Sequence, residues 1–444
     1  MVKNLRNTNF VDGFGRTAFL VFIYFIFLYD FEIPGFPFGT VVLFLVFCIV
    51  YIGYAIFNGN IKQIKQEKTK TTKMLIFYLL WNVFLIIYVY GLLEFFGRGD
   101  GTTPFKGYIE MLIKLPLFYI SGNLILRNLE ELMKILYIGV VVQSIIIIIA
   151  LFSPILSIGL TLLFPEGAYN TDMIGGFEMA IARGYKVGLG VFSSAGSLKM
   201  AIGQIGACYF LIKSRDSKLV YHLLIYLFIT IATTLVARTG LLISVVGLLC
   251  VIIAKRKQGG GRAIKFVIHV CALLFIGYII VIKLLPFDFI EDTFQRLIDT
   301  ADNGIYDTYF RGYTGEGGVN TIPPLCSETL IGLGITTGVS GSGIITITDG
   351  GFLRNYSAMG LIVAIINYFI IIIIFLKQHK SYKSIIFKSI IMFMLLILLI
   401  GEFKEYYIYY VSPMCFFFLI FNLMEKESLS YIRLKEKYKN QTIS

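Results

Sequence analysis

The sequence predicts an all-α polytopic membrane protein, in which about twelve transmembrane helices form a bundle with two large loops on one side. Of its 444 residues, 57% are hydrophobic and 15% are charged, whereas soluble domains are roughly 45 to 50% apolar. The charged residues lie in short clusters between apolar runs of about 17 to 25 residues, a length that crosses a bilayer as a helix. Residues 1–444 are therefore expected to form a single integral membrane domain.

Twelve apolar runs are the candidate membrane spans. They cover residues 16–31, 37–57, 74–96, 107–126, 135–163, 197–213, 219–236, 240–254, 266–285, 351–376, 385–401 and 406–424. The first run follows Lys3, Arg6 and Arg16 but has no A-x-A-like cleavage site. It is therefore predicted to be a retained first span and not a signal peptide.

The connections between the spans form two alternating sets, and one set holds the basic clusters. That set includes both ends of the chain and the lysine-rich stretch 62–73. The positive-inside rule therefore predicts that both termini are cytoplasmic. This distribution also accounts for the net charge of +12 without a nucleic-acid partner.

Two connections on the opposite face are long, residues 164–196 and 286–350. Loops beyond about 12 to 15 residues usually carry function, so the functional site is expected on this face. The second loop opens with 289–301, whose apolar residues recur at helical spacing and predict an amphipathic surface helix.

Basic residues on the long-loop face break the positive-inside pattern. They are Arg183, Lys186, Arg238, Lys283, Arg296, Arg311 and Arg354. Arginine suits the bidentate binding of phosphate because its planar guanidinium stays charged. The group therefore favours an anionic, membrane-bound ligand such as a lipid pyrophosphate. The alternative is that these side chains extend to lipid headgroups or pair with loop carboxylates.

Metal ligands are sparse in the sequence. No His/Cys cluster occurs, and the pair that stands out is Asp30 with Glu32 in the first outer turn. Glu110 and Lys114, four residues apart in one span, are expected to neutralise each other. No metal or other cofactor is therefore predicted, with the Asp30/Glu32 pair as the alternative.

The order of motifs along residues 165–376 resembles the O-antigen polymerase and ligase superfamily of bacterial surface-polysaccharide assembly. The shared features are an outer Arg loop, the turn Ala237-Arg238-Thr239-Gly240, a large outer loop with Arg311 and then Gly332-Leu333-Gly334, and a polar residue, Asp349, eleven positions before Gly360. In ligases that polar residue is typically His. Here His222, His269 and His379 lie in spans or on the basic face, which favours a polymerase.

The resemblance implies a GT-C-like bundle in the bacterial inner membrane that joins oligosaccharide repeat units carried on undecaprenyl pyrophosphate. The active site would face the periplasm, and both donor and acceptor would be lipid-linked. Membrane lipids and a chain-length regulator protein are further expected partners, and nucleic acid is not.

In such a transfer a sugar hydroxyl attacks the anomeric carbon and a lipid pyrophosphate departs with negative charge, which cationic groups stabilise. The expected catalytic residues are Arg238, Arg311 and Asp349, and the expected pyrophosphate-binding residues are Arg183, Lys186 and Arg354. Asp349 would act as the general base, with Glu178, Asp307 and Glu328 as rivals. An Asp before a Gly, as in Asp349-Gly350, is also typical of a turn.

Two alternative functions stay open. A ligase would attach finished chains to a lipid core. A flippase would carry the same lipid-linked unit across the membrane. A transporter is expected to place charges near the bilayer midplane and often has two similar halves. The sequence shows neither feature, which favours the polymerase.

Overall fold

Helices form where the apolar runs predict them. The computed structural model describes residues 14–31, 33, 39–58, 69–97, 99–161, 188–190, 193–214, 216–284, 323–346, 348, 350–410 and 413–441. In chain order the elements are α1 (Phe14–Tyr29), α2 (Thr40–Phe57), α3 (Lys70–Phe96), β1 (Gly101–Thr102), α4 (Phe105–Ile125), α5 (Leu129–Phe152), α6 (Pro154–Thr161), α7 (Ser193–Lys213), α8 (Asp216–Val236), α9 (Arg238–Lys257), α10 (Arg262–Leu284), α11 (Ser327–Ile331), β2 (Thr337–Val339), β3 (Ile345–Thr346), α12 (Gly351–Ser381), α13 (Ile385–Lys404), α14 (Tyr407–Tyr410) and α15 (Pro413–Gln441).

The predicted all-α polytopic membrane fold is confirmed. Within the residues described, nine helices are long and apolar enough to cross a membrane, namely α2, α3, α4, α5, α7, α8, α9, α12 and α13. The apolar helix α1 is shorter, and α10 and α15 overlap two further predicted spans. Each of the twelve predicted spans thus overlaps helix, and the last, 406–424, overlaps both α14 and α15.

The predicted fifth span, 135–163, is divided in the structure. It forms α5 and α6, which are separated by Ser153 with an extended backbone (φ −128°, ψ 96°). The cause is Pro154, which lacks a backbone N–H and disfavours helical geometry in the residue before it. At its other end α5 begins earlier than predicted, because the Asn128 side chain accepts a hydrogen bond from Glu131 N and caps the helix.

The core is centred on α7 and on the first half of α15. Every residue from Met414 to Phe421 is fully buried, as expected for a helix that is apolar on all sides. Phe416 contacts rings from two other helices, with ring centroids 4.8 Å from Phe118 and 5.7 Å from Phe27. The remaining helices surround this centre and expose apolar side chains outward.

The two ends of the bundle gather different residues. At one end, Arg16 pairs with Glu131 at 3.0 Å and Lys213 pairs with Glu130 at 2.7 Å; we call this the basic end, formed by 69–73, 126–131, 213–214, 216–219, 255–265 and 377–388. The opposite end, formed by the described residues 30, 31, 33, 39, 40, 97, 99–104, 188–190, 193–196, 237–240, 323–346, 348, 350 and 402–410, is called the loop end. Contacts thus join connections that the sequence assigned to the same face.

A small antiparallel sheet, in the order β1-β2-β3, ties two connections together at the loop end. Gly101 is opposite Gly338, and Val339 is opposite Ile345. This sheet was not predicted, because strands of two or three residues are too short to show an alternation of apolar and polar residues. It anchors the segment before α12 to the connection between α3 and α4.

Candidate functional site

Arg238 lies at the loop end, where the sequence predicts it. Ala237, with an extended backbone, is the single residue between α8 and α9, and Arg238 opens α9. The turn is tight because Gly240 N donates to Ala237 O at 2.9 Å, and a Cβ on Gly240 would clash with the Thr233 carbonyl oxygen. The Arg238 side chain is partly exposed and has no hydrogen-bond or ion-pair partner within the described part of the chain. Its guanidinium group is therefore accessible for binding an anion.

Arg354 lies in the first turn of α12, also at the loop end. Its Nε donates to Thr348 O at 2.9 Å, so the side chain is held against the backbone just before α12. Its charge is close enough to the Glu402 carboxyl group for the two to interact. Helix α12 packs against α13, and α13 packs against α9. Arg238 and Arg354 therefore lie at the same end of three neighbouring helices.

Glu402 is the residue that sequence reasoning missed. It lies near the end of α13 and is 0% exposed, in contact with the backbone of Gly351 at the start of α12. Its carboxyl group accepts hydrogen bonds from Tyr368 OH at 2.7 Å and from Ile408 N at 2.6 Å. The Asn355 amide also donates to it, at 3.5 Å. A buried acid in a membrane protein indicates a functional site, and here it fixes the turn that carries Arg354.

Tyrosines surround this buried acid. Tyr406, Tyr407 and Tyr409 are buried between α13 and α15. Tyr406 OH donates to Tyr108 OH at 3.4 Å, and Tyr407 OH donates to Leu198 O at 3.2 Å. The network therefore connects the Glu402 turn to α4 and to the central helix α7.

The two glycine motifs of the family resemblance meet in space. Helix α12 is broken at Gly360, which has φ 78° and ψ 162°, and Gly332 has φ 122°. A Cβ on Gly332 would lie 2.5 Å from Gly360 N, and a Cβ on Gly360 would clash with the Ile331 carbonyl oxygen. Only glycine at both positions allows this approach. The break leaves the carbonyls of Ser357 and Ala358 without helical donors, and Leu333 N (2.7 Å) and Gly334 N (3.0 Å) donate to them instead.

A second polar group, also unforeseen, lies beneath the loop end. Lys199, six residues into α7, donates from Nζ to Tyr29 O at 2.6 Å and to Gly190 O at 3.1 Å. Its charge interacts with that of Asp30. This lysine thereby joins the ends of α1 and α7. The sequence could have indicated this residue, because Lys199 is a charged residue near the start of the apolar run 197–213. The assignment of spans took no account of it.

The acidic residues proposed for other roles are engaged in local structure. Asp30 Oδ1 accepts from Val41 N at 3.1 Å and caps α2, while Glu32 lies outside the described residues. Glu110 and Lys114 form the expected ion pair. In the part of the chain that the structure describes, no three His, Cys, Asp or Glu side chains gather as metal ligands would.

Several predicted site residues lie outside the part of the chain that the structure describes. They are Arg183, Lys186, Arg311 and Asp349, with the rival bases Glu178 and Asp307 and the predicted surface helix 289–301. Glu328, the third rival, is described. Hydrogen bonds from Cys326 and Ser327 hold the pKa of its carboxyl group below its usual value, which makes it a weaker base.

The chain was compared with protein-family models and with curated protein sequences. No family model matches the chain, and no curated protein is similar to it in sequence. The fold class, an all-α polytopic membrane protein, therefore rests on the sequence and the structure alone.

Proposed function

We propose that this protein is a glycosyltransferase that polymerises lipid-linked oligosaccharide repeat units, with undecaprenyl pyrophosphate as the leaving group. The observation that carries the proposal is the arrangement at the loop end, where Arg238 and Arg354 open two helices that both pack against α13, the helix of the buried Glu402. Two guanidinium groups at a membrane surface suit a pyrophosphate that is anchored in that surface by its lipid. The resemblance of the motif order supports the same assignment.

The proposed reaction requires cationic groups that stabilise the negative charge of the leaving pyrophosphate and a base that accepts the proton of the acceptor hydroxyl. The acceptor hydroxyl attacks the anomeric carbon, the bond from that carbon to the pyrophosphate oxygen breaks, and the hydroxyl proton passes to a carboxylate. We assign the leaving-group charge to Arg238 and Arg311, with Arg183, Lys186 and Arg354 holding the pyrophosphate. Asp349 is the proposed base. Glu402 is a positioning residue, because it acts through the turn that carries Arg354.

The orientation belongs to the same proposal. The loop end is assigned to the periplasm and the basic end to the cytoplasm of the bacterial inner membrane, because positively charged connections stay on the cytoplasmic side. The lipid-linked units would then meet the arginines on the face where they are polymerised.

The test is polymer formation by purified protein in detergent, supplied with a lipid-linked repeat unit. Arg238→Ala and Arg354→Ala should each lower the rate about 100-fold or more, the size of effect seen when one charge-stabilising group is removed. Arg256→Ala is the matched control, because Arg256 is an exposed arginine at the basic end of the same helix α9. Normal polymer lengths in both loop-end variants would refute the site.

A flippase is the second candidate, and the break in α12 at Gly360 favours it, since transporters often bind substrate at discontinuous helices. Here, however, Leu333 N and Gly334 N occupy the carbonyls that the break releases. These groups are therefore not available to a ligand. Detergent solution has no second compartment, so polymer formation there excludes pure transport.

A further inference from the structure

A polar cavity lies at the basic end, remote from the proposed site. Its volume is about 580 Å³, within the range of small-molecule sites. Its polar lining consists of Lys213, Ser214, Ser217, Lys255, Gln258 and Arg262. The ends of α7, α8, α9, α10 and α13 enclose it together.

The cavity contains a buried lysine. Lys255 is 3% exposed, and its Nζ donates to Ser214 O at 2.8 Å, which fixes the ammonium at the wall. Gln258 Nε2 donates to Ile212 O at 3.2 Å and joins the ends of α7 and α9. Burial of a lysine is costly unless its charge is compensated, and the bond to Ser214 O places the Lys255 ammonium beside the cavity and not in open solvent.

The charge of the lining is positive. Lys213, which pairs with Glu130 at 2.7 Å, lines the cavity together with Lys255 and Arg262, and no Asp or Glu is among the lining residues described. Arg262 is exposed, without a hydrogen-bond partner in the described part of the chain. Ser217 and Gln258 supply neutral hydrogen-bonding groups. This combination suits a phosphate, which has several acceptor oxygens and negative charge.

The position of the cavity suits a lipid. It lies where the membrane helices end, and the adjoining turns of α10 expose the apolar side chains of Ile264 and Ile268, at 68% and 60%. A phospholipid could place its acyl chains on these residues and its headgroup in the cavity. Basic pockets between transmembrane helices on the cytoplasmic side are known to hold anionic headgroups.

We propose that this cavity is a binding site for the phosphate headgroup of an anionic phospholipid, held by Lys255 and Arg262. The site is separate from the loop end and does not depend on the proposed polymerase activity.

Native mass spectrometry of the full chain, released from bilayers of equimolar phosphatidylglycerol and phosphatidylcholine, tests the proposal. The wild-type protein should retain phosphatidylglycerol in preference. Lys255→Gln/Arg262→Gln should weaken that retention by about tenfold, since each basic residue contributes to headgroup binding. Arg262→Gln alone, at an exposed position that folding tolerates, should weaken it several-fold.

The control is Lys134→Gln/Lys380→Gln, which removes two exposed charges from the same end of the bundle but outside the cavity. Equal losses in the control and in the cavity variants would overturn the proposal, because they would indicate general surface charge. A thermal-unfolding arm in lipid-free detergent separates lipid from free phosphate. Stabilisation by inorganic phosphate equal to that by phosphatidylglycerol would also overturn the lipid assignment.

Discussion

Individual ionisable residues inside this bundle are costly, and two of them, Glu402 and Lys199, are held by hydrogen bonds from and to their neighbours. Glu402 accepts from Tyr368 OH and Ile408 N, and Lys199 donates to two backbone carbonyls. Buried charges without such partners destabilise a membrane protein strongly. These hydrogen bonds therefore lower the energetic cost of burying the two residues. Glu402 also interacts with the charge of Arg354, in agreement with its proposed positioning role.

Replacing Glu402 tests this arrangement. Glu402→Ala would leave the Tyr368 hydroxyl and the Ile408 amide buried without an acceptor, at roughly 1 to 3 kcal/mol for each group. Glu402→Gln keeps the size but turns an NH₂ group toward donors, so a smaller loss is expected. Thermal unfolding in detergent measures both effects. Glu130→Gln is the control: it breaks an exposed pair with Lys213 and should change stability by less than about 1 kcal/mol. A loss as large as that of Glu402→Ala would contradict the prediction that burial makes Glu402 more important for stability.

Residue-scale features were the hardest to predict from the sequence. Arg238 and Arg354 were found because topology gave no reason for cations on that face. Glu402 was missed because its partners, Asn355 and Tyr368, are 47 and 34 residues away. Such contacts depend on how helices pack, and the apolar pattern of a span does not determine them.

Among the elements, the broken helix α12 is the most distinctive. Sharp kinks in helices have identifiable causes, such as a glycine. Here the kink is at Gly360, where the backbone of Leu330 and Ile331 packs closely against α12. Tyr88 OH donates to Ile331 O at 2.7 Å, so α3 also holds this segment. Irregular backbone in a membrane protein is tolerated where other groups satisfy its polar atoms, and Leu333 N and Gly334 N do so here.

A methyl group at Gly360 should disrupt this contact. Gly360→Ala brings a Cβ into the Ile331 carbonyl and places a side chain at φ 78°, which together should cost about 2 to 5 kcal/mol. Gly343→Ala is the matched control, because its φ is 79° but nothing lies within 4 Å of the added Cβ. Only the backbone strain of about 1 to 2 kcal/mol is expected there. Equal unfolding temperatures for the two variants would show that the close packing of Gly360 against Ile331 does not contribute to stability.

Element boundaries followed from sequence where local signals exist. The Ala237 turn was predicted from four residues, and each predicted span overlaps helix. The division at Ser153-Pro154 was visible in principle as a proline within an apolar run. The meeting of Gly332 with Gly360 was not, because order along the chain says nothing of distance in space.

At the scale of the whole molecule, the bundle has two chemically distinct ends. The basic end is closed by short connections and ion pairs, whereas the loop end carries the sheet, the broken helix and the buried acid. Sequence reasoning assigned the connections to two faces, and contacts within each end agree with that partition. The proposed function requires one orientation of this asymmetric molecule, with the loop end outward.

Labelling of introduced cysteines by a membrane-impermeant maleimide in spheroplasts tests that orientation. Ser342→Cys lies at an exposed turn of the loop end, and Lys380→Cys lies at an exposed position of the basic end; both are made with Cys271→Ser and Cys326→Ser, which remove the two native thiols that are not buried. Because positive connections stay cytoplasmic, Ser342→Cys should be labelled in intact spheroplasts and Lys380→Cys only after lysis. The opposite pattern would put the arginines on the cytoplasmic side, away from periplasmic repeat units, and both the orientation and the polymerase proposal would then fail.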